Sequence, residues 1–119
     1  RYIPEERRLV HSDYRFHNVF ADRHKITGVI DWESALFGDR LYDIAHMILW
    51  DKETDYGRLF YQHYQSQGEN IGRYDERVLC YILHDGLAGL HYLAKSGQRA
   101  RYECLKNRIL ALIEKPYFK

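Results

Sequence analysis

The sequence predicts an α+β fold, with a small β-hairpin unit over residues 1–40 and a helical part over residues 41–119. Three observations carry that expectation. Before residue 40 the apolar residues come in short, β-branched runs divided by turn signals. Beyond it, Leu and Ile recur at helical spacing. The chain has 119 residues, 45% of them hydrophobic and 15% aromatic, including 11 tyrosines, which suits one small domain with a real core.

Taken in order, Arg8-Leu9-Val10 reads as a short strand or extended entry to His11. Asn18-Val19-Phe20-Ala21 reads as a second strand and Lys25 to Ile30 as the strongest one. The polar turn Asp22-Arg23-His24-Lys25 joins them as a hairpin that ends on Asp31. Gly38-Asp39 marks a turn and a helix N-cap, followed by Leu41, Ile44, Ala45, Ile48 and Leu49 on one helical face. A second helix runs from about Asp55 to Gln67, with Gly68 as its stop. The third shows a stripe of Leu79, Ile82, Leu83, Leu87, Leu90 and Leu93, closed by Gly97. Gly86 and Gly89 interrupt it at some cost in propensity, which predicts close packing against another helix. The fourth carries Leu105, Ile109, Leu112 and Ile113 and ends before Pro116.

Chemistry concentrates ahead of the helices. His11, Asp13 and Asn18 in the segment HSDYRFHN have the spacing H-x-D-x-x-x-x-N of kinase catalytic loops. Phosphoryl transfer to a hydroxyl requires a carboxylate to orient the nucleophile and take its proton, which suits Asp13. It also requires sparse oxygen ligands for magnesium, an ion that keeps several of its waters. Asn18 offers a neutral oxygen and Asp31 a charged one, and the hairpin between them can return Asp31 beside Asn18. Arg15 and His17 lie inside the loop, either approaching phosphate or substrate or simply solvated. His11 is expected to support the loop through hydrogen bonds and not to carry protons.

The stretch LVHSDYRFHNVFADRHKITGVIDWESALFGDRLYDIA resembles the aminoglycoside phosphotransferase family, within the wider protein-kinase-like fold. The likeness is close over residues 9–45 and is one of pattern only in the later helices; FGDRLYDIAHMILW is further similar to hygromycin-type members. By that resemblance the chain is the mainly helical C-terminal portion of the fold. Asp13 is then the catalytic base, Asn18 and Asp31 hold Mg2+, His11 supports the loop, and Asp39 and Asp43 are structural acids, Asp43 bracing the loop. Glu33 stands where protein kinases have glycine, which points to small-molecule kinases and makes it a candidate substrate contact.

The implied activity is an ATP-dependent transfer of phosphate to a hydroxyl of a small, aminoglycoside-like molecule. A glycine-rich loop with its strand lysine does not occur among these residues, so the chain is expected to be a single partial domain lacking the N-terminal nucleotide lobe. Alone it should bind ATP weakly and be inactive, and apolar surface left exposed should favour homo-oligomers. The alternative from another class is a non-catalytic binding or regulatory module derived from the same fold. Metal-dependent hydrolysis is a third reading, but it leaves Asn18 and its spacing unexplained.

The remaining composition narrows partners. A net charge of +1 gives no electrostatic case for nucleic acid, and no apolar run is long enough to span a membrane. The N-terminal RYIPEERRLV lacks the apolar centre of a signal peptide, so the expected location is cytoplasmic. Cys80 and Cys104 read as two buried thiols or as a lone disulfide. Trp32 and Trp50 read as packing residues.

Overall fold

The computed structural model describes residues 7–114; Pro116, expected to end the last helix, lies outside them. The elements run β1 (Arg8–Val10), a 3-10 turn (Phe16–Asn18), β2 (Val19–Asp22), β3 (Lys25–Val29), β4 (Leu36–Gly38), α1 (Leu41–Trp50), α2 (Tyr56–Ser66), α3 (Tyr74–Lys95) and α4 (Arg99–Glu114). β2 and β3 form the expected antiparallel hairpin. Phe20 pairs with Gly28 and Ala21 with Ile26, so Thr27 is the extra residue of a bulge. Asn18 belongs to the 3-10 turn and not to the strand, because its amide closes back on the carbonyl of Arg15.

β4 is an addition to the sequence reading. Leu36-Phe37-Gly38 is too short to show a period, and it becomes a strand because β1 offers it an antiparallel partner, with Leu9 opposite Phe37. That second two-stranded ribbon delivers Val10 into the core and leaves Phe37 74% exposed.

α1 is the central helix. Leu41, Ile44, Ala45, Met47, Ile48 and Leu49 are all buried, so it is apolar nearly all round, as a helix enclosed by others must be. It packs on α2 and α3, and α4 packs on α3. α3, about 33 Å long at 1.5 Å per residue, starts earlier than the leucine pattern suggests. Its buried line is Tyr74, Val78, Ile82, Gly86 and Leu93, while Leu87 faces out at 61% exposure. Gly86 lies against Ile109 of α4, where a Cβ would come within 2.6 Å of the Ile109 Cδ1.

Both glycine stops act as expected. Gly68 and Gly97 hold left-handed φ values of 73° and 70°. Each closes its helix with paired reverse bonds, from Glu69 N to Tyr64 O and from Gln98 N to Leu93 O. Asp55 caps α2 by accepting from Arg58 N. Asp39 caps α1 by accepting from Leu41 N, and its buried carboxylate also takes two bonds from Arg77 of α3. The cysteines correct the expectation of buried thiols or a disulfide. Cys80 and Cys104 are free and exposed, because they sit on outward faces of α3 and α4.

Candidate active site

The loop after β1 is built around one carboxylate. Ser12 takes a left-handed φ of 67°, which turns successive backbone amides the same way. Asp43, in the first turn of α1, accepts from both: His11 N at 2.9 Å and Ser12 N at 2.8 Å. Such paired amides form a small concavity suited to an anion, and here the anion is internal.

His11 is 1% exposed, and both ring nitrogens are engaged. The Asp13 amide can only donate, so Nδ1 is its acceptor at 3.2 Å; Nε2 therefore carries the proton and donates to Ile30 O at 2.8 Å. The imidazole is thus neutral and tethers the loop to the end of β3. The Trp32 ring lies 4.6 Å from it, centroid to centroid, while itself 43% exposed.

Ile30 is gripped from its other side too, its amide donating to Asn18 O at 3.0 Å. Asp31 follows at once, exposed and in the left-handed region at φ 64°. Asn18 is 3% exposed and spends its amide nitrogen on Asp13, at 2.9 Å to the carbonyl and 3.1 Å to Oδ2. Its Oδ1 is then the atom left to meet a cation. An amide oxygen and an exposed carboxylate from adjoining segments fit a hard divalent ion that retains water. Among the described residues no group of three or more His, Cys, Asp or Glu is placed to hold a metal ion.

Asp13 has more partners than the motif suggests. Its Oδ1 receives Arg15, at 2.9 Å from Nε and 2.8 Å from Nη2, and faces His46 Nε2 at 3.1 Å. Burial pushes the Asp13 carboxyl upward. The charge and hydrogen bond of Arg15, then His46 and Asn18, outweigh it and hold the carboxyl below its ordinary value. Asp13 is therefore ionised at neutral pH.

His46 and Asp85 are the residues that the sequence reading missed. His46 is buried on α1, with Nδ1 2.8 Å from Asp85 Oδ2 of α3, so it stands between two carboxylates. Trp50 Nε1 donates to the same Asp85 oxygen at 3.2 Å, and Arg15 lies 5.6 Å from the Trp50 ring centroid. Trp50 is thus a half-exposed member of this surface and not a packed core ring. One signal was available: Asp43, His46 and Trp50 fall on one face of α1 at i, i+3 and i+7. Nothing local, however, pointed to Asp85. Arg15 is drawn onto Asp13, whereas His17 and Glu33 lie exposed.

This geometry meets an independent comparison. A profile of the phosphotransferase enzyme family matches residues 1–79. The chain belongs to that family. Hygromycin-B 4-O-kinase of Escherichia coli is 49% identical over 47 residues, which are 40% of this chain and 14% of that protein. Two solved forms of aminoglycoside phosphotransferase APH(4)-Ia superpose closely. A thermostable mutant in ternary complex with AMP-PNP and hygromycin B gives a TM-score of 0.74 at 30% identity, covering 93% of this chain and 37% of that one. A crystal structure of APH(4)-Ia itself gives 0.73 at 30% identity with the same coverage. The α+β architecture expected from the sequence is thus a part of the kinase-like phosphotransferase fold, and the chain spans well under half of those relatives.

Proposed function

We propose that this chain forms the catalytic-loop and metal-holding part of an ATP-dependent phosphotransferase that phosphorylates a hydroxyl of a small, sugar-like molecule. The named relatives point to an aminoglycoside-like scaffold. One observation carries the reading: Asn18 joins the two halves of the site. Its amide nitrogen fixes the Asp13 carboxylate, while its backbone carbonyl holds Ile30 and so positions Asp31 next in the chain.

In this reading the acceptor hydroxyl is held by Asp13 Oδ2. Its oxygen forms the new bond to the terminal phosphorus as the bond to the β-phosphate oxygen breaks, ADP departs, and the proton passes to the Asp13 carboxylate. A carboxylate held this acidic is a weak base, so it serves first to orient the nucleophile and takes the proton late. Asn18 Oδ1 and Asp31 would hold magnesium, which when bound would neutralise charge on the phosphates. Asp43 and His11 keep the loop in the conformation that aims Asp13, and Arg15, His17 and Glu33 border the path of substrate and phosphate.

Most nucleotide contacts are assigned to a lobe outside these residues, so the 119-residue chain alone should bind Mg-ATP more weakly than about 1 mM. Titration calorimetry measures this, and sub-millimolar binding would refute it. Exposed Phe16, Phe20, Ile26 and Phe37 support association of the isolated chain with a partner surface, including a second copy. No described helix is long and apolar enough to cross a membrane, which is compatible with a cytoplasmic enzyme. The deciding experiment replaces Asp13 by alanine in the longest natural form of the protein. Transfer from ATP should fall by about 10³-fold or more, as for other positioned acid–base and electrostatic groups, with the circular dichroism spectrum unchanged. Retained turnover would remove Asp13 from the mechanism.

A further inference from the structure

Three side chains hold the Asp13 carboxylate, and two of them belong to its own loop. Arg15 is two residues away and Asn18 five, so both travel with the loop when it moves. The third, His46, stands 33 residues on, in the buried face of α1. Asp43 of the same helix holds the loop by the His11 and Ser12 amides, which leaves the Asp13 side chain free to turn about its own torsions. Among the described residues, His46 is thus the contact that fixes the carboxylate itself to the helical core. It does so at one oxygen. Arg15 and His46 Nε2 converge on Oδ1, the latter at 3.1 Å, whereas Oδ2 meets the Asn18 amide and keeps a lone pair for an acceptor hydroxyl.

The imidazole is itself held. Its Nδ1 lies 2.8 Å from Asp85 Oδ2 of α3, and Trp50 Nε1 donates to that same oxygen at 3.2 Å. Asp85 is also a fixed point, because the next residue is Gly86. A Cβ there would meet Ile109 Cδ1 of α4 at 2.6 Å and Leu49 Cδ2 of α1 at 3.9 Å, and helices in such close contact do not slide freely. An ionised carboxylate only accepts, so an imidazole that serves Asp13 and Asp85 together carries a proton on each nitrogen. That cation sits between two carboxylates with 7% of its side chain exposed, where charge-assisted bonds are strong. The charged groups around it are Asp13 and Arg15 from the loop, Asp85 from α3, and Asp43 one turn earlier on α1. The Tyr42 hydroxyl feels the same field: burial first, then the Asp85 and Asp43 charges, push it above its ordinary value.

From this series of contacts, and resting on the phosphotransferase reading above, we infer that His46 and Asp85 are positioning residues for the transfer. Asp85 holds the imidazolium, the imidazolium holds Oδ1 of Asp13, and Oδ2 is thereby presented to the acceptor hydroxyl. Neither residue touches substrate; both act through Asp13.

Two measurements on the longest natural form test it. Nitrogen NMR of histidine-labelled protein reads the ring directly. Both His46 nitrogens should be protonated at neutral pH, and one should lose its proton in Asp85→Asn. Steady-state transfer from Mg-ATP to aminoglycosides and simple sugars reads the consequence. In Asp85→Asn and in His46→Gln, kcat should fall by about 10–100-fold, the cost of a slightly misplaced group, with KM for ATP and acceptor within about twofold. Glutamine has one side-chain nitrogen, so its oxygen would face one of the two carboxylates. The double variant should be no slower than His46→Gln alone, because Asp85 acts through the ring. A merely structural pair would lower the melting temperature and leave kcat unchanged. That result, losses that multiply in the double variant, or a His46 nitrogen without a proton in the unsubstituted protein would each overturn the inference and leave the phosphotransferase standing. No transfer by the unsubstituted protein to any of these acceptors overturns the phosphotransferase, and with it the use made of the His46–Asp85 pair.

Discussion

Asp39 and Arg77 tie the start of α1 to α3, and removing the arginine offers the sharpest test of how the site is held. Asp39 is fully buried and Arg77 nearly so; they share two bonds, Nε to Oδ2 at 2.9 Å and Nη2 to Oδ1 at 2.7 Å. Burial and the adjacent Asp39 carboxylate also push the Tyr81 hydroxyl well above its ordinary range, so the Asp39 charge is felt in a poorly solvated space. In Arg77→Met the Asp39 carboxylate keeps its cap to Leu41 N but loses its countercharge. Breaking a buried pair from one side costs about 3–5 kcal/mol. A chain of this length has a total stability of about 6–18 kcal/mol, so the loss is a large fraction of it. At about 4 °C per kcal/mol, the melting temperature should fall by about 12–20 °C. Urea titration followed by circular dichroism gives the free energy directly. The double variant Asp39→Leu/Arg77→Met, which removes both charges, should recover at least about 2 kcal/mol of the loss even after the cap is forfeited. A single-variant loss below about 1 kcal/mol, or a double variant as unstable as the sum of the two singles, would refute a desolvated, mutually dependent pair.

Two further expectations follow from the same structure. Asp13 titrates below its ordinary value, so its contribution to stability is complete at neutral pH and is lost only as pH falls through its lowered folded value, below about 3.9. His46→Gln removes one of the influences that lower it, and Arg15→Gln removes a larger one. The acid limb of the transfer rate in the longest natural form should therefore move to higher pH in both, and further for Arg15→Gln. An unmoved limb, or the opposite order, would count against this account. At Gly86, alanine gains about 1 kcal/mol of helix propensity but places a methyl 2.6 Å from Ile109 Cδ1. Overpacking of about 1–3 kcal/mol should win, lowering the melting temperature, and Ile109→Val in the same chain should reverse the sign. Stabilisation by Gly86→Ala alone would show that α4 yields freely.

Much of the site could be read from the chain because its chemistry is short-range. His11, Asp13 and Asn18 lie in one loop whose turn brings them together, and a single hairpin returns Asp31 to Asn18. The helix faces and the stops at Gly68 and Gly97 are legible for the same reason: propensity, periodicity and left-handed turns are properties of a few consecutive residues. What only the tertiary structure decided depends on partners far apart in sequence. β4 exists because β1 is beside it, Cys80 and Cys104 are exposed because of how α3 and α4 turn, and Arg77 reaches Asp39 across two helices. The electrostatics of Asp13 belong to this second kind. His46 and Asp85 meet only because α1 packs on α3. The sequence by itself singled out the groups to which the chemistry is proposed to belong. Packing decided the charge around them, because fields in a poorly solvated space depend on distances that no spacing along a chain encodes.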